Sequence, residues 1–352
     1  MQFLSHFEHH KYSGFEPSQV FDVVYGAHFE HRLLSPRRAV MDHQRLVLGD
    51  VRIETGAYDF PVIAQGAMPG DCICIGMVAE GLELTRYNTG RIGDDEIQVY
   101  APNAELMYHA TGASRWITFT APAALLQSLA QERVGQPLEL PRRGIVSARL
   151  GTGTRTHLRQ LSDDAFALAR ALHPGGLGPH LASGICRAVV TAYVDALMAA
   201  QAACKGSPGG ASARHYQLVL ACERVVVSDP MTEVEVGEIA RRSGYSKSSL
   251  ELIFRRSVGM TPGRYFMNIR LNGALRDLVT CRPGCSVTDV ATRWGFRHLS
   301  RFAQHYRRAF GELPGETLGR ALARMDGTRP RHGAEHLAAA DRSHLLRAAP
   351  AG

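Results

Sequence analysis

Residues 236–262 read VGEIARRSGYSKSSLELIFRRSVGMTP, and residues 287–314 read VTDVATRWGFRHLSRFAQHYRRAFGELP. The second stretch is a degenerate copy of the first. Val236, Ile239, Ala240, Gly244 and Tyr245 recur 51 residues later as Val287, Val290, Ala291, Gly295 and Phe296. After one inserted residue, Leu250, Phe254, Arg255, Arg256, Gly259 and Pro262 recur 52 residues later as Phe302, Tyr306, Arg307, Arg308, Gly311 and Pro314. Each copy predicts two short helices joined by a tight turn. The alanine (Ala240, Ala291) is small enough for a second helix to cross closely. The glycine four residues on (Gly244, Gly295) permits a left-handed turn, and the aromatic residue after it plugs the space between the helices. In the second helix, Leu250 and Phe254, or Phe302 and Tyr306, are spaced to face a core. That leaves Ser248, Glu251, Leu252 and Arg255 on the open face of one copy. Ser300, Arg301, Gln304 and Arg307 occupy the same face of the other. Such a face is what a helix entering the major groove of DNA requires. Lys247, Ser249, Arg256, His298, His305 and Arg308 flank these faces and complete the candidate DNA-contacting set. Between the copies, TPGRYFMNIRLNGALRDLVT reads as one helix with Pro262 in its first turn. The competing reading is a basic helical bundle with no nucleic-acid role.

Charge separates the two readings. Residues 1–213 carry a net charge of −2, residues 214–324 a net charge of +8, and the whole chain +7. Positive charge confined to the duplicated segment points to a polyanionic partner. Outward from it the pattern changes twice. Residues 20–122 alternate apolar and polar positions between Gly, Pro, Asn and Asp breaks, as in LVLGDVRIETGAY and GDCICIGMVAEGLELTRYN, which predicts short strands in a sandwich or small barrel. From Pro122 the spacing is helical through ASGICRAVVTAYVDALMAAQAAC. The expected units are a β-rich domain at 1–165, a helical region with an apolar face suited to dimerisation at 166–204, and a flexible KGSPGGASA linker at 205–213. They continue with an all-α domain at 214–322 and a disordered tail at 326–352. The N-terminus has no signal-peptide pattern, and no run of 18 uninterrupted apolar residues occurs. The seven cysteines (Cys72, Cys74, Cys186, Cys204, Cys222, Cys281 and Cys285) are scattered and odd in number. That predicts free thiols in a cytoplasmic protein rather than a disulfide framework.

The segment IARRSGYSKSSLELIFRRSVGMTPGRYFMNIRLNGALRDL, followed by VTDVATRWGFRHLSRFAQHYRRAFGELP, resembles the DNA-binding domain of AraC/XylS-type transcriptional regulators over about residues 215–322. Its second half is most similar to a subgroup that includes ethanolamine-utilisation regulators. The resemblance implies an α+β chain: an N-terminal cupin-like β-barrel sensor with a helical dimerisation region, then an all-α domain with two helix-turn-helix units. It implies double-stranded DNA and RNA polymerase as partners, a small-molecule effector, a homodimer, and activation of a catabolic or stress operon. It also implies recognition helices about one DNA turn apart on one face of the duplex. Many family members carry arginine two positions after the conserved apolar residue of each recognition helix. Here those positions are Leu252 and Gln304. Leucine can touch a thymine methyl and glutamine pairs with adenine, so the preferred DNA sequence differs.

Other constellations point less far. His28 and His31 are paired, but the carboxylate and third histidine of a barrel metal site do not follow at the needed spacing, so no metal is expected. Cys281 and Cys285 read as two thiols in a turn. Gly151-Thr-Gly lacks the third glycine of a dinucleotide loop. No Walker loop, His-Glu-x-x-His or nucleophile elbow occurs, and no catalytic residue or cofactor is expected. Two alternatives from other classes are a DNA-binding enzyme with a reactive Cys72 or Cys74, and an architectural DNA-binding protein without a sensor. For a ligand in the β domain, alternation offers Ile73, Ile75, Met77, Tyr108, Trp116 and Phe119 as lining.

Overall fold

The computed structural model describes residues 4–13, 23–34, 39–203, 210–231 and 235–325. The expected tail at 326–352 and residues 205–209 of the expected linker lie outside them. Eleven strands are present among the described residues: β1 (Ser5–Ser13), β2 (His28–Leu33), β3 (Val40–Leu48), β4 (Val51–Tyr58), β5 (Val62–Ala67), β6 (Ile73–Glu80), β7 (Thr85–Tyr87), β8 (Glu96–Tyr100), β9 (Glu105–Ala110), β10 (Ser114–Ala121) and β11 (Ile145–Arg149). They form a seven-stranded antiparallel sheet, ordered β1-β3-β4-β10-β6-β8-β11, and a four-stranded one, ordered β2-β5-β9-β7. Among the described residues no ladder joins the two sheets, so the expected closed barrel is corrected to two open layers facing each other.

The large sheet is buried on both faces. Ile53, Ile75, Met77, Ile117 and Phe119 pack outward, against the helices α1 (Ala123–Val134), α2 (Thr154–Ala171) and α3 (Pro179–Ala203). Tyr58, Cys74, Val78, Tyr100 and Trp116 point the other way, toward the small sheet. The expected ligand lining is therefore divided. Tyr108 and Trp116 line the space between the sheets. Ile73, Ile75, Met77 and Phe119 belong to the helix-facing core, where the Phe119 ring stacks on Tyr193 at 4.2 Å. A period of two separates a strand's faces but does not say which faces the other sheet when both are apolar. Gly56 has a steric role here: a Cβ would lie 2.4 Å from the Trp116 indole. Residues 179–201 are long and apolar enough to cross a membrane. In this fold that helix buries Val189, Tyr193, Val194 and Leu197 in the helix-facing core.

The C-terminal helices are α4 (Gly210–Ser228), α5 (Val236–Ser243), α6 (Lys247–Val258), α7 (Pro262–Val279), α8 (Val287–Arg293), α9 (Leu299–Phe310) and α10 (Pro314–Met325). Residues 210–213, expected in the linker, instead form the first turn of α4. The central helix is α7, and it is buried on nearly every side. Its first half (Tyr265, Phe266, Ile269) shares a core with Leu250, Phe254 and Val258 of α6. Its second half (Leu271, Ala274, Leu275, Leu278) shares one with Val290, Ala291, Phe302 and Tyr306 of α8 and α9. One helix thus serves as the floor for both copies of the repeat.

Candidate nucleic-acid interface

Both copies build the same turn. Gly244 and Gly295 have φ of 74° and 78°. The amides that follow close equivalent hydrogen bonds of 2.9 Å, Tyr245 to the Ala240 carbonyl and Phe296 to the Ala291 carbonyl. Ala240 and Ala291 are buried, 2% and 0% exposed, as a close helix crossing demands. Ser246 caps α6 by accepting from the Ser249 amide at 3.0 Å. Ser286 caps α8 in a reciprocal box with Asp289, a signature visible in the sequence that the repeat-based reading passed over.

With the apolar side of each second helix sealed (Leu250, Phe254, Phe302 and Tyr306 are all fully buried), the opposite face is open. On α6, Lys247, Ser248, Ser249, Leu252, Arg255 and Arg256 are exposed and Glu251 is half-buried. At α9, His298, Ser300, Arg301, Gln304, Arg307 and Arg308 are exposed and His305 is half-buried. Leu252 is 47% exposed, although it is a large apolar residue.

Ion pairing separates these cations from several of their neighbours, which sequence reading missed. Arg241 and Arg242 pair with Glu238, Arg276 with Glu30 at 3.2 Å, and Arg293 with Asp277 at 3.0 Å. Lys247, Arg255, Arg256, Arg301, Arg307 and Arg308 form no salt bridge among the described residues. Several cations beside the two faces are thus neutralised, while the six on them are not, a condition they share with Arg224, Arg264, Arg282 and Arg297. Desolvation costs little for such exposed cations, so they are available to phosphate.

The second copy carries braces the first lacks. Trp294 stands where the first copy has Ser243. Its indole lies over Gly273, where a Cβ would approach to 2.2 Å, and its Nε1 donates to Asp277 at 2.9 Å. The Tyr306 hydroxyl donates to Thr317 of α10 at 2.9 Å. Cys281 and Cys285, read from sequence as two thiols, are bridged between α7 and α8 with their Cα atoms 6.0 Å apart.

The remaining candidates are dispersed. His28 is exposed. His31 is buried, with its Nε2 2.9 Å from the Tyr58 hydroxyl and its Nδ1 3.2 Å from the Phe29 carbonyl oxygen. No cluster of three metal-ligating side chains occurs among the described residues. Cys72 and Cys74 are buried. Burial, with Asp71 adding to it, pushes the Cys72 thiol up to about 12, and burial raises Cys74 further. Both are held as unreactive thiols, which disfavours the cysteine-enzyme alternative.

A family model described as a helix-turn-helix domain matches residues 239–320. A probable thc operon regulatory protein of Rhodococcus erythropolis is 43% identical over 84 residues, 24% of this chain and 25% of that protein. This chain therefore spans about a quarter of that relative's length. A probable transcription factor, PqrA of Proteus vulgaris, is 32% identical over 97 residues, 28% of this chain and 73% of that protein. A solved structure of a probable AraC family transcriptional regulator from Rhodopseudomonas palustris CGA009 is 31% identical, covering 30% of this chain and 98% of that one, with a TM-score of 0.28. With 73% of PqrA matched at 32% identity and the helix-turn-helix model lying over residues 239–320, the chain belongs to the AraC family of transcriptional regulators.

Proposed function

We propose that this protein is an effector-responsive regulator that binds promoter DNA through two helix-turn-helix units, α5–α6 and α8–α9, and activates an operon with RNA polymerase. The observation that carries the reading is the pair of exposed, unneutralised basic faces on equivalent helices, held by one shared helix. At 1.5 Å per residue, the 18 residues of α7 span about 27 Å, comparable with one turn of DNA. Glu251, Leu252, Arg301 and Gln304 are assigned to base edges, and Arg255, Arg307 and Arg308 to phosphates. The thc relative's name supports an operon as the target. The test is binding of the full chain to the promoter fragments beside its own gene, with reporter transcription measured with and without the protein. Loss of the protein should lower transcription; specific binding without any transcriptional change would support the architectural alternative.

The reading includes a sensor in the β domain, supported by the two faces of the small sheet. Inward, Phe29, Tyr87 and Tyr108 line a narrow apolar cavity with Tyr58, Tyr100 and Trp116 of the large sheet. Outward, the alternate residues face the DNA-binding half. Ile63 and Met107 join its core, and Arg32 pairs with Glu223 of α4, which also accepts from the Tyr265 hydroxyl at 3.0 Å. The Leu33 backbone exchanges hydrogen bonds with the Asn272 side chain at 3.0 and 3.2 Å. Burial opposes the Arg32 charge, but Glu223, Tyr265 and Glu30 outweigh it and hold the guanidinium above its usual range. A ligand that spreads the cavity moves the sheet that the DNA-binding half rests on. It shifts the balance only if it binds one arrangement more tightly. The homodimer is assigned to α2 and α3, where Leu161, Leu168, Leu181 and Ile185 line an apolar groove.

A further inference from the structure

We propose that Cys281 and Cys285 form a reversible thiol–disulfide modification site that sets the position of the second helix-turn-helix unit. The proposal rests on the DNA-binding reading for its consequence, but the site itself is defined by geometry. Cys281 follows the C-terminal cap of α7, and Cys285 directly precedes Ser286, the N-cap of α8. Their Cα separation of 6.0 Å lies within the range a disulfide spans. The turn between them, Arg282-Pro283-Gly284, is exposed, and Gly284 has a φ of 95°. Cys281 is 7% exposed and belongs to the core that carries Val290, Ala291, Trp294, Phe302 and Tyr306, while Cys285 is half-buried and packs against it. A solvent-borne reagent therefore meets Cys285 first, with Cys281 placed behind it as the resolving thiol.

The chemistry balances with a hydroperoxide as oxidant. The Cys285 thiolate attacks the peroxide oxygen, breaking the O–O bond to give a sulfenic acid and, with a proton, water or an alcohol. The Cys281 thiolate then attacks the sulfenic sulfur, forming the S–S bond and releasing the second oxygen as water. Reversal takes two equivalents of a small thiol. The first opens the bridge as a mixed disulfide, and the second leaves with it as the oxidised small disulfide, returning both cysteines as thiols. None of the other cysteines in the described residues offers this arrangement. Cys72, Cys74, Cys186 and Cys222 are unpaired, and burial raises each thiol above its ordinary value.

The consequence follows from the position. Bonded sulfurs occupy less space than two thiols in contact, so reduction widens the turn and frees the start of α8 from the end of α7. Because α8 carries α9 across a shared core, the change reaches the second DNA-reading face. The first face, built on the other half of α7, is insulated from it.

The experiment compares full-length protein reduced with dithiothreitol against protein treated with one equivalent of hydrogen peroxide. Peptide mapping reads the bridge. Hydroxyl-radical footprinting and affinity are measured on a duplex that the protein recovers from a random-sequence pool. We expect a Cys281–Cys285 crosslink, affinity higher by about threefold or more in the bridged form, and a change confined to the half of the footprint under α9. The double variant Cys281→Ser/Cys285→Ser should lose the peroxide response while retaining reduced-state binding. Absence of the crosslink, a crosslink with an unchanged footprint, or a response that survives in the double variant overturns the proposal. Failure of both forms to recover any duplex overturns the DNA-reading assignment instead, and the peptide map still decides whether the bridge forms.

Discussion

Gly295 and Gly244 occupy equivalent turns in unequal surroundings. Both need a positive φ, but a Cβ at Gly295 would also lie 2.1 Å from the Pro230 carbonyl oxygen, whereas one at Gly244 meets nothing within 4 Å. Gly244→Ala should therefore cost about 1 kcal/mol or slightly more, the left-handed strain alone. Gly295→Ala should cost distinctly more and weaken DNA binding as well. Equal losses of thermal stability in the two variants would mean that the Pro230 contact is unimportant. At the DNA faces the expected split is chemical. Gln304→Ala should lose about 1–3 kcal/mol at one or two base pairs. Arg308→Ala should weaken all sequences alike and reduce the slope of log affinity against log salt by about one. Competition binding against base-substituted duplexes reads both effects, and an unchanged base preference in Gln304→Ala contradicts the assigned docking of α9. What the sequence made legible at this scale was position rather than availability. The helical spacing put Arg255 and Arg307 on open faces, but only the fold reveals that Arg241, Arg276 and Arg293 are already neutralised by Glu238, Glu30 and Asp277.

Among the elements, the repeat was legible because it is written in local rules: a small residue at a crossing, a glycine at a turn, apolar residues at helical spacing. The β half was legible only as strands. Ile73 and Cys74 look alike in sequence, yet one faces the helices and the other the opposing sheet. The contact between the small sheet and α4 and α7 left no signature, since Arg32 and Glu223 are 191 residues apart. That contact makes two predictions. Glu223→Ala leaves the buried Arg32 with only the more exposed Glu30, 3.2 Å from its Nε, as an ionic partner, so the loss should approach about 3 kcal/mol, the low end for breaking a buried pair. Hydrogen exchange in β2 and α4 should rise, and protection equal to wild type would argue against the latch. His109, on the same outward face, is buried against the Ser257 backbone of α6. Burial, with Arg86 nearby, holds its pKa down to about 4. Between pH 6.5 and 4 the unfolded chain binds a proton at this residue that the folded chain refuses. Stability therefore falls as pH drops through that window and levels off below it. His109→Leu should flatten this part of the profile of melting temperature against pH, and an unaltered slope would assign the acid sensitivity elsewhere. His31 and His43, held near 4 and 3 chiefly by burial, contribute in the same direction and keep the slope from vanishing.

At the scale of the molecule, a two-layer β domain rests on the helical domain mainly through its small sheet, and the candidate faces of α6 and α9 remain exposed. Under the proposed sensor and thiol switch, ligand state would act through the small sheet on α4 and α7, and turn chemistry on the second unit alone. The proposed function requires α6 and α9 to read DNA together. Its most direct measurement is a hydroxyl-radical footprint of the full chain on promoter DNA across a salt series, with Leu252→Arg and Gln304→Ala as position markers. Two protected patches about one helical turn apart are expected on the same face of the duplex. Affinity should fall steeply with salt, and each variant should alter only its own patch. A single patch, two patches on opposite faces, or an affinity indifferent to salt would contradict it.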